Sequence, residues 1–221
     1  MMKNKRLLSA VCWTAAALLF TLLIKLVDVR PAGAANAPLG FAGINTAVHE
    51  ALGTSSFWYK VSKGLGICGI LTAVSFAGLG LWQWWQRKSL KEVDRVFFAL
   101  AGLYAAVVIL WKLFDVLALN YRPVLDKGAA EPSYPSTHTL LAICFFGSAV
   151  PMIMTYVKNR TLRKVLALCA IAAAFLTVLA RFLSGVHWFT DIIGGILISG
   201  ALLSWFWFAA KQKSRPAEEE F

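Results

Sequence analysis

The sequence predicts an all-α fold: a six-span transmembrane helical bundle with a short interfacial amphipathic helix between spans 1 and 2, forming a single domain over residues 1–221. Three observations point there. The chain is 59% hydrophobic and only 15% charged, with a mean hydropathy of +0.66, where a soluble domain would be about half apolar and a quarter charged. Six runs approach the roughly 20 apolar residues that cross a bilayer, at about 7–27, 64–86, 96–119, 139–157, 165–183 and 188–210. None of them alternates strictly, which argues against a transmembrane barrel.

The first run follows Lys3, Lys5 and Arg6, and small residues follow it from Ala32 to Ala37. A cleavable signal peptide has that order, but this run is longer than a usual signal core and Lys25, Asp28 and Arg30 intervene, so it is read as a retained span. Cleavage would leave five spans. Residues 31–60 form the longest outer connection, where Phe41, Ile44, Val48 and Leu52 recur at helical spacing. That recurrence predicts the interfacial helix, as a lid or lipid entrance or as a solvated connection with one apolar face. His49 stands there alone and matches no motif. The third run carries Lys112 and Asp115 and ends before Arg122-Pro123. The fourth opens on Pro135-Ser136-Thr137-His138, the fifth ends at Arg181, and the sixth opens at His187 and Asp191. Cys12, Cys68, Cys144 and Cys169 lie inside spans without metal-ligand spacing, so they are expected to be small buried apolar side chains, with neither a disulfide nor a zinc site.

The net charge of +11 would suggest nucleic acid in a soluble protein. Here the basic residues fall between spans. With the N-terminus inside, 14 lie on one face and 6 on the other, with Lys25 and Lys112 left within spans. The positive-inside rule then puts both termini in the cytoplasm and places Arg122, His138, Arg181 and His187 at the outer face.

Those outer residues carry the chemistry. His187 and Asp191 are spaced i, i+4, which on a helix puts both on one face and lets the carboxylate orient the imidazole as a nucleophile or base. A helix-start histidine beside a dipole-satisfying carboxylate is the plainer reading. Arg181, six residues earlier, ends the preceding span, so a phosphate group can bridge guanidinium and imidazole. Ser136 is a good N-cap, and the amides after it suit a phosphate oxygen. His138 stands there as a candidate general acid. Arg122 is held extended by Pro123 and adds a second cation. Phosphoryl transfer through a histidine needs this set.

At this point the residues resemble the type 2 phosphatidic acid phosphatases, whose site is similar to that of the vanadium haloperoxidases. That family's pattern is Lys, six residues, Arg-Pro; then Pro-Ser-Gly-His; then Ser-Arg, five residues, His, three residues, Asp. Here the third part reads Ala180-Arg181, five residues, His187, three residues, Asp191, and the second reads Pro135-Ser136-Thr137-His138. The first part departs. Asp115 occupies the lysine position, and Lys112 leaves nine residues before Arg122, about 15 Å along a helix rather than about 10 Å. Lys112 or Lys127 is the candidate for that role, with a local Lys112–Asp115 ion pair as the alternative.

The resemblance implies a metal-independent membrane phosphatase without cofactor. His187 would attack phosphorus, Asp191 would hold the ring, and His138 would protonate the leaving oxygen. Arg122, Arg181, Lys112, the Ser136 hydroxyl and the Thr137 amide would bind the phosphate oxygens. Candidate substrates are lipid phosphates in the outer leaflet: undecaprenyl diphosphate or another polyprenyl diphosphate, phosphatidylglycerophosphate, phosphatidic acid or a diacylglycerol diphosphate. Membrane lipids are the expected partners and nucleic acid is not. A catalytically idle scaffold of the same fold and a proton-coupled transporter are the competing readings.

Overall fold

A computed structural model describes residues 2–125 and 128–210. Among them lie seven α-helices: α1 (Met2–Leu23), α2 (Ala42–Leu52), α3 (Ser56–Arg87), α4 (Arg95–Leu117), α5 (Thr137–Tyr156), α6 (Arg160–Leu183) and α7 (Phe189–Ala210). A short antiparallel hairpin, β1 (Arg30–Ala32) and β2 (Ala37–Leu39), sits between α1 and α2. Every helix except α2 is long and apolar enough to cross a membrane. The six-span plan is therefore the observed one, and the protein is a multi-pass transmembrane helical bundle.

Helix α3 begins eight residues before the expected position, at Ser56. Lys60 and Lys63 dilute the hydropathy there, but Ser55 caps the helix by accepting from the Trp58 N–H at 3.5 Å. Its 32 residues extend about 48 Å, more than the roughly 30 Å hydrocarbon core, so the helix tilts or projects beyond it. Helix α6 also starts early, because Asn159 Oδ1 caps the Leu162 N–H at 2.9 Å.

The core forms around α5. One side buries Leu140, Cys144, Phe145 and Met152 with Leu100, Leu103 and Val107 of α4 and Ile198 of α7. The other packs Ala142, Phe146 and Ala149 on Ala167 and Ala170 of α6, small side chains that let the helices approach closely. Helix α1 lies along α7, tied by the Trp205 indole donating to Thr14 Oγ1 at 3.0 Å. The outward faces stay apolar, with Ile109, Val116, Leu168 and Phe175 exposed. Lipid is as apolar as leucine, so a spanning helix gains little by burying such groups. The cysteines show the same physics: Cys144 is buried as expected, whereas Cys12, Cys68 and Cys169 are exposed.

Alternation of the spans gathers the starts of α3, α5 and α7 and the ends of α1, α4 and α6 at one end of the bundle. The hairpin, α2 and the 118–136 connection cover that end. Helix α2 is the expected short helix between the first two spans; its Ile44 and Leu52 are exposed, while Ala42 and Asn45 are buried. Asn45 is turned inward because the first turn of α7 supplies partners for its amide. At the opposite end, Asp94 accepts from Gln83 Nε2 at 2.8 Å, Arg87 Nη1 at 2.9 Å and the Tyr156 hydroxyl at 2.6 Å, joining α3, α4 and α5. Burial opposes ionisation of Asp94, but the bonds from Tyr156, Arg87 and Gln83 outweigh it and hold the carboxyl below its ordinary range.

Candidate active site

The site is built on the start of α7. Asp191, at the third position of the helix, reaches back so that its Oδ2 accepts the Trp188 N–H at 3.0 Å, the carboxylate half of a capping box. The next free amide, that of Thr190, donates to Asn45 Oδ1 at 3.1 Å, and Asn45 Nδ2 donates to Thr190 Oγ1 at 2.9 Å and to the Gly40 carbonyl at 2.8 Å. Trp188 is packed against Leu39 and Ala42, and its indole donates to the Tyr121 carbonyl at 2.6 Å. These contacts fix the backbone that follows His187.

The connection from α6 is equally constrained. Gly185 has φ +66°, and a Cβ there would lie 1.9 Å from the Gly53 carbonyl oxygen, so only glycine fits. Ser55 N–H donates to the Ser184 carbonyl at 3.1 Å, tying this connection to the start of α3. The six residues from Arg181 to His187 thus fold back tightly enough for the two side chains to meet.

His187 is 6% exposed, and its Nε2 lies 3.1 Å from Arg181 Nη2. A guanidinium only donates, so Nε2 holds the lone pair and the ring proton resides on Nδ1. Nδ1 faces Asp191 Oδ2 at 3.5 Å, close enough to orient the ring though long for a strong hydrogen bond. Asp191 is wholly buried, and its Oδ1 accepts from Asn120 Nδ2 at 3.3 Å. Burial, then the Arg181 and Arg122 cations, push the His187 pKa well below its ordinary 6.5, against the opposing Ser133 carbonyl. The imidazole is therefore neutral at neutral pH.

Arg181 is 1% exposed and lies over the Tyr59 ring, 5.3 Å from its centroid. Its Nε and Nη1 have no hydrogen-bond partner. Two unpaired donors on a buried guanidinium beside a neutral imidazole form a site shaped for an anion. Arg122 comes to the same place from the 118–136 connection. Its amide donates to the Glu131 carbonyl at 3.0 Å, its Nη2 lies 3.0 Å from Glu131 Oε2, and its charge reaches His187.

His138 is half-buried in the first turn of α5, beside Gly66 of α3, where a Cβ would lie 3.4 Å from its Cδ2. The charges of Arg181, His187 and Arg122 all bear on it. Ser136 is placed differently from the expectation. It is buried, and its hydroxyl accepts from Thr139 Oγ1 at 3.1 Å, with no side-chain cap on the helix. The Ser136 N–H donates to the Asp191 carbonyl at 3.0 Å, which joins the starts of α5 and α7. The first hydrogen bond of the α5 ladder runs from the Leu140 N–H to the Ser136 carbonyl at 3.0 Å. The amides of residues 137 to 139 precede it, on the side an anion would approach.

Lys112 is not brought into this cluster. Its side chain is 62% exposed, with Nζ 3.8 Å from Asp115 Oδ2 and 4.5 Å from the Trp111 ring centroid. Helix α4 runs unbroken to Leu117, so the irregular stretch that would redirect the lysine starts only at Ala118. The local ion pair is the observed arrangement. Lys127 lies outside the described residues. His49, buried enough to lower its pKa against the opposing charge of Glu50, packs edge-on to Trp188 at 5.5 Å.

Sequence reasoning missed Asn120, Asn45 and Tyr59. Asn120 follows directly on an apolar span, where a buried amide needs partners, and that was the available signal. Asn45 and Tyr59 carry no signal short of the tertiary fold.

Comparison with known proteins places this arrangement in context. The family model described as PAP2 superfamily matches residues 115–215. The bacitracin transport permease protein BcrC of Bacillus licheniformis is 32% identical over 146 residues, covering 62% of this chain and 66% of that protein, a little under two thirds of its length. The fold is similar to the crystal structure of the first transmembrane PAP2 type phosphatidylglycerolphosphate phosphatase from Bacillus subtilis. The TM-score is 0.62 at 19% identity, over 90% of this chain and 94% of that one. The family model spans Arg122, His138, Arg181, His187 and Asp191, and the relative and the fold agree with it: the chain belongs to the PAP2 superfamily.

Proposed function

We propose that the protein is an integral membrane phosphatase that hydrolyses lipid phosphate or diphosphate monoesters at the outer membrane face through a phosphohistidine. The observation that carries this reading is the neutral His187 imidazole 3.1 Å from a buried Arg181 with two unpaired donors. On binding, Arg181 turns its donors to the phosphate oxygens and releases Nε2 of His187 for in-line attack. The N–P bond forms as the P–O bond to the leaving group breaks. Asp191 keeps the proton on Nδ1 and stabilises the charged ring, while His138 gives a proton to the departing oxygen and then takes one from the water that cleaves the N–P bond. Arg122 and the amides at the start of α5 stabilise the charge spread over the equatorial oxygens. The excess of basic residues at the opposite end of the bundle supports the outer placement, with both termini cytoplasmic. Lateral entry between helices suits a lipid whose tail stays in the bilayer.

The test is phosphate release from several lipid phosphates by detergent-purified protein with EDTA present. The wild type is expected to release phosphate and to be inhibited by vanadate, and His187→Ala to lose at least about 10³-fold in kcat. Equal release by both proteins would remove His187 as the nucleophile. No release from any lipid would favour an idle scaffold or a transporter.

A further inference from the structure

Tyr59, Ser62, Lys63 and Gly66 recur at i, i+3, i+4 and i+7 along the early turns of α3, and so share one face. Two of the four touch site residues and a third is buried. Tyr59 carries Arg181 on its ring at 5.3 Å, Gly66 lies against the His138 ring, and Ser62 is wholly buried. Lys63 lies between Tyr59 and Gly66 on that face. Its Nζ sits 5.5 Å from the centroid of the same Tyr59 ring that carries Arg181. Its side chain is exposed, and no carboxylate among the described residues is recorded as its partner.

We propose that Lys63 supplies the cation that Lys112 does not, on the leaving-group side of the site, and thereby favours lipid diphosphates over lipid monophosphates. The proposal rests on the phosphatase reading above. Lys63 lies one turn from Gly66, the residue against the His138 ring, and its charge joins those of Arg181 and Arg122 at His138, while the cations that act on His187 are Arg181 and Arg122. His138 faces the departing oxygen, so Lys63 faces the leaving group. The chemistry then separates the two substrates. When His187 Nε2 attacks the terminal phosphorus of a diphosphate, the bridging P–O bond breaks and the leaving group is an anionic lipid phosphate. A lipid monophosphate leaves as an alkoxide that one proton from His138 converts to a neutral alcohol. A fixed ammonium stabilises the first far more than the second.

The experiment compares farnesyl diphosphate with farnesyl monophosphate, two substrates of one chain, on wild type, Lys63→Ala, Lys63→Arg and Lys112→Ala. Lys63→Ala is expected to lower kcat/KM about 10- to 100-fold on the diphosphate and less than about threefold on the monophosphate. Lys63→Arg should retain most of the diphosphate activity, and Lys112→Ala should leave the ratio unchanged. An unchanged ratio in Lys63→Ala, or its collapse in Lys112→Ala instead, overturns the assignment. A second arm needs no turnover. Titration calorimetry with inorganic pyrophosphate and inorganic phosphate should show tighter pyrophosphate binding by wild type, and that advantage should vanish in Lys63→Ala. If the advantage vanishes but no lipid is hydrolysed by wild type, the phosphatase reading fails and the Lys63 site stands. If His187-dependent hydrolysis is present and the advantage survives in Lys63→Ala, only the Lys63 assignment fails.

Discussion

At the scale of single residues, the tautomer of His187 decides what the site does. Arg181 donates to Nε2, so the lone pair points toward the anion position and Asp191 receives the other nitrogen. Asp191→Asn offers an amide in place of the carboxylate and removes the charge that stabilises the imidazolium, so kcat should fall about 10³-fold with KM little changed. A fall in KM affinity alone would place Asp191 in substrate binding. The depressed pKa of His187 sets a pH prediction. The free imidazole stays unprotonated as pH falls through 6.5, so kcat/KM, corrected for ionisation of the substrate, should hold through that value and decline only below it. The unfolded chain's histidine takes up a proton near 6.5 while the buried one does not, so folding stability should weaken as pH drops below that value. Arg181, His187 and Asp191 were legible in the sequence because their partnership is local, an i, i+4 pair and a five-residue connection. Asn120 offered only its place just after an apolar span, because its partner Asp191 lies 71 positions away. Lys112 misled because a motif position says nothing about which face of α4 the side chain occupies, and its i, i+3 neighbour Asp115 holds it outside.

At the scale of elements, the start of α7 depends on a side chain from α2. Asn45→Ala leaves the Thr190 amide and hydroxyl without that partner, and should cost about 1–2 kcal/mol, the upper range for a lost N-cap, while lowering kcat through a looser His187. Thermal unfolding and phosphate release measured on one preparation check both halves. A variant as stable and as active as wild type would mean that α2 only covers the site. Gly185→Ala should be harsher, because it meets a carbonyl oxygen as well as an unfavourable φ. The spans themselves were legible from hydropathy, and their ends less so. Helices α3 and α6 begin earlier than the apolar runs because capping by Ser55 and Asn159 outweighs the local loss of hydrophobicity. The apolar periodicity made α2 itself legible, and its Ile44 and Leu52 stay exposed, which carries no penalty in a membrane protein.

For the whole molecule, the six-span bundle brings Arg122, His138, Arg181, His187 and Asp191 to the end that holds the starts of α3, α5 and α7, while Lys112, near the same end on α4, stays outside the cluster. On the proposed reading, the excess of basic residues at the other end puts this one outside. In a variant freed of native cysteines, Ala34→Cys should react with a membrane-impermeant maleimide added to intact cells, and Lys91→Cys should react only after lysis. The reverse pattern would invert the topology. Under the proposed reading, function follows from location and chemistry together: a neutral histidine beside a buried guanidinium with two unpaired donors, at the end of the bundle that the charge count puts outside. The most direct measurement of that account is rapid quenching into alkali of protein mixed with radiolabelled lipid phosphate, followed by peptide mapping. The expected result is an acid-labile, alkali-stable label on the peptide containing His187, absent from His187→Ala. Label on the His138 peptide, or none while phosphate is being released, would contradict it.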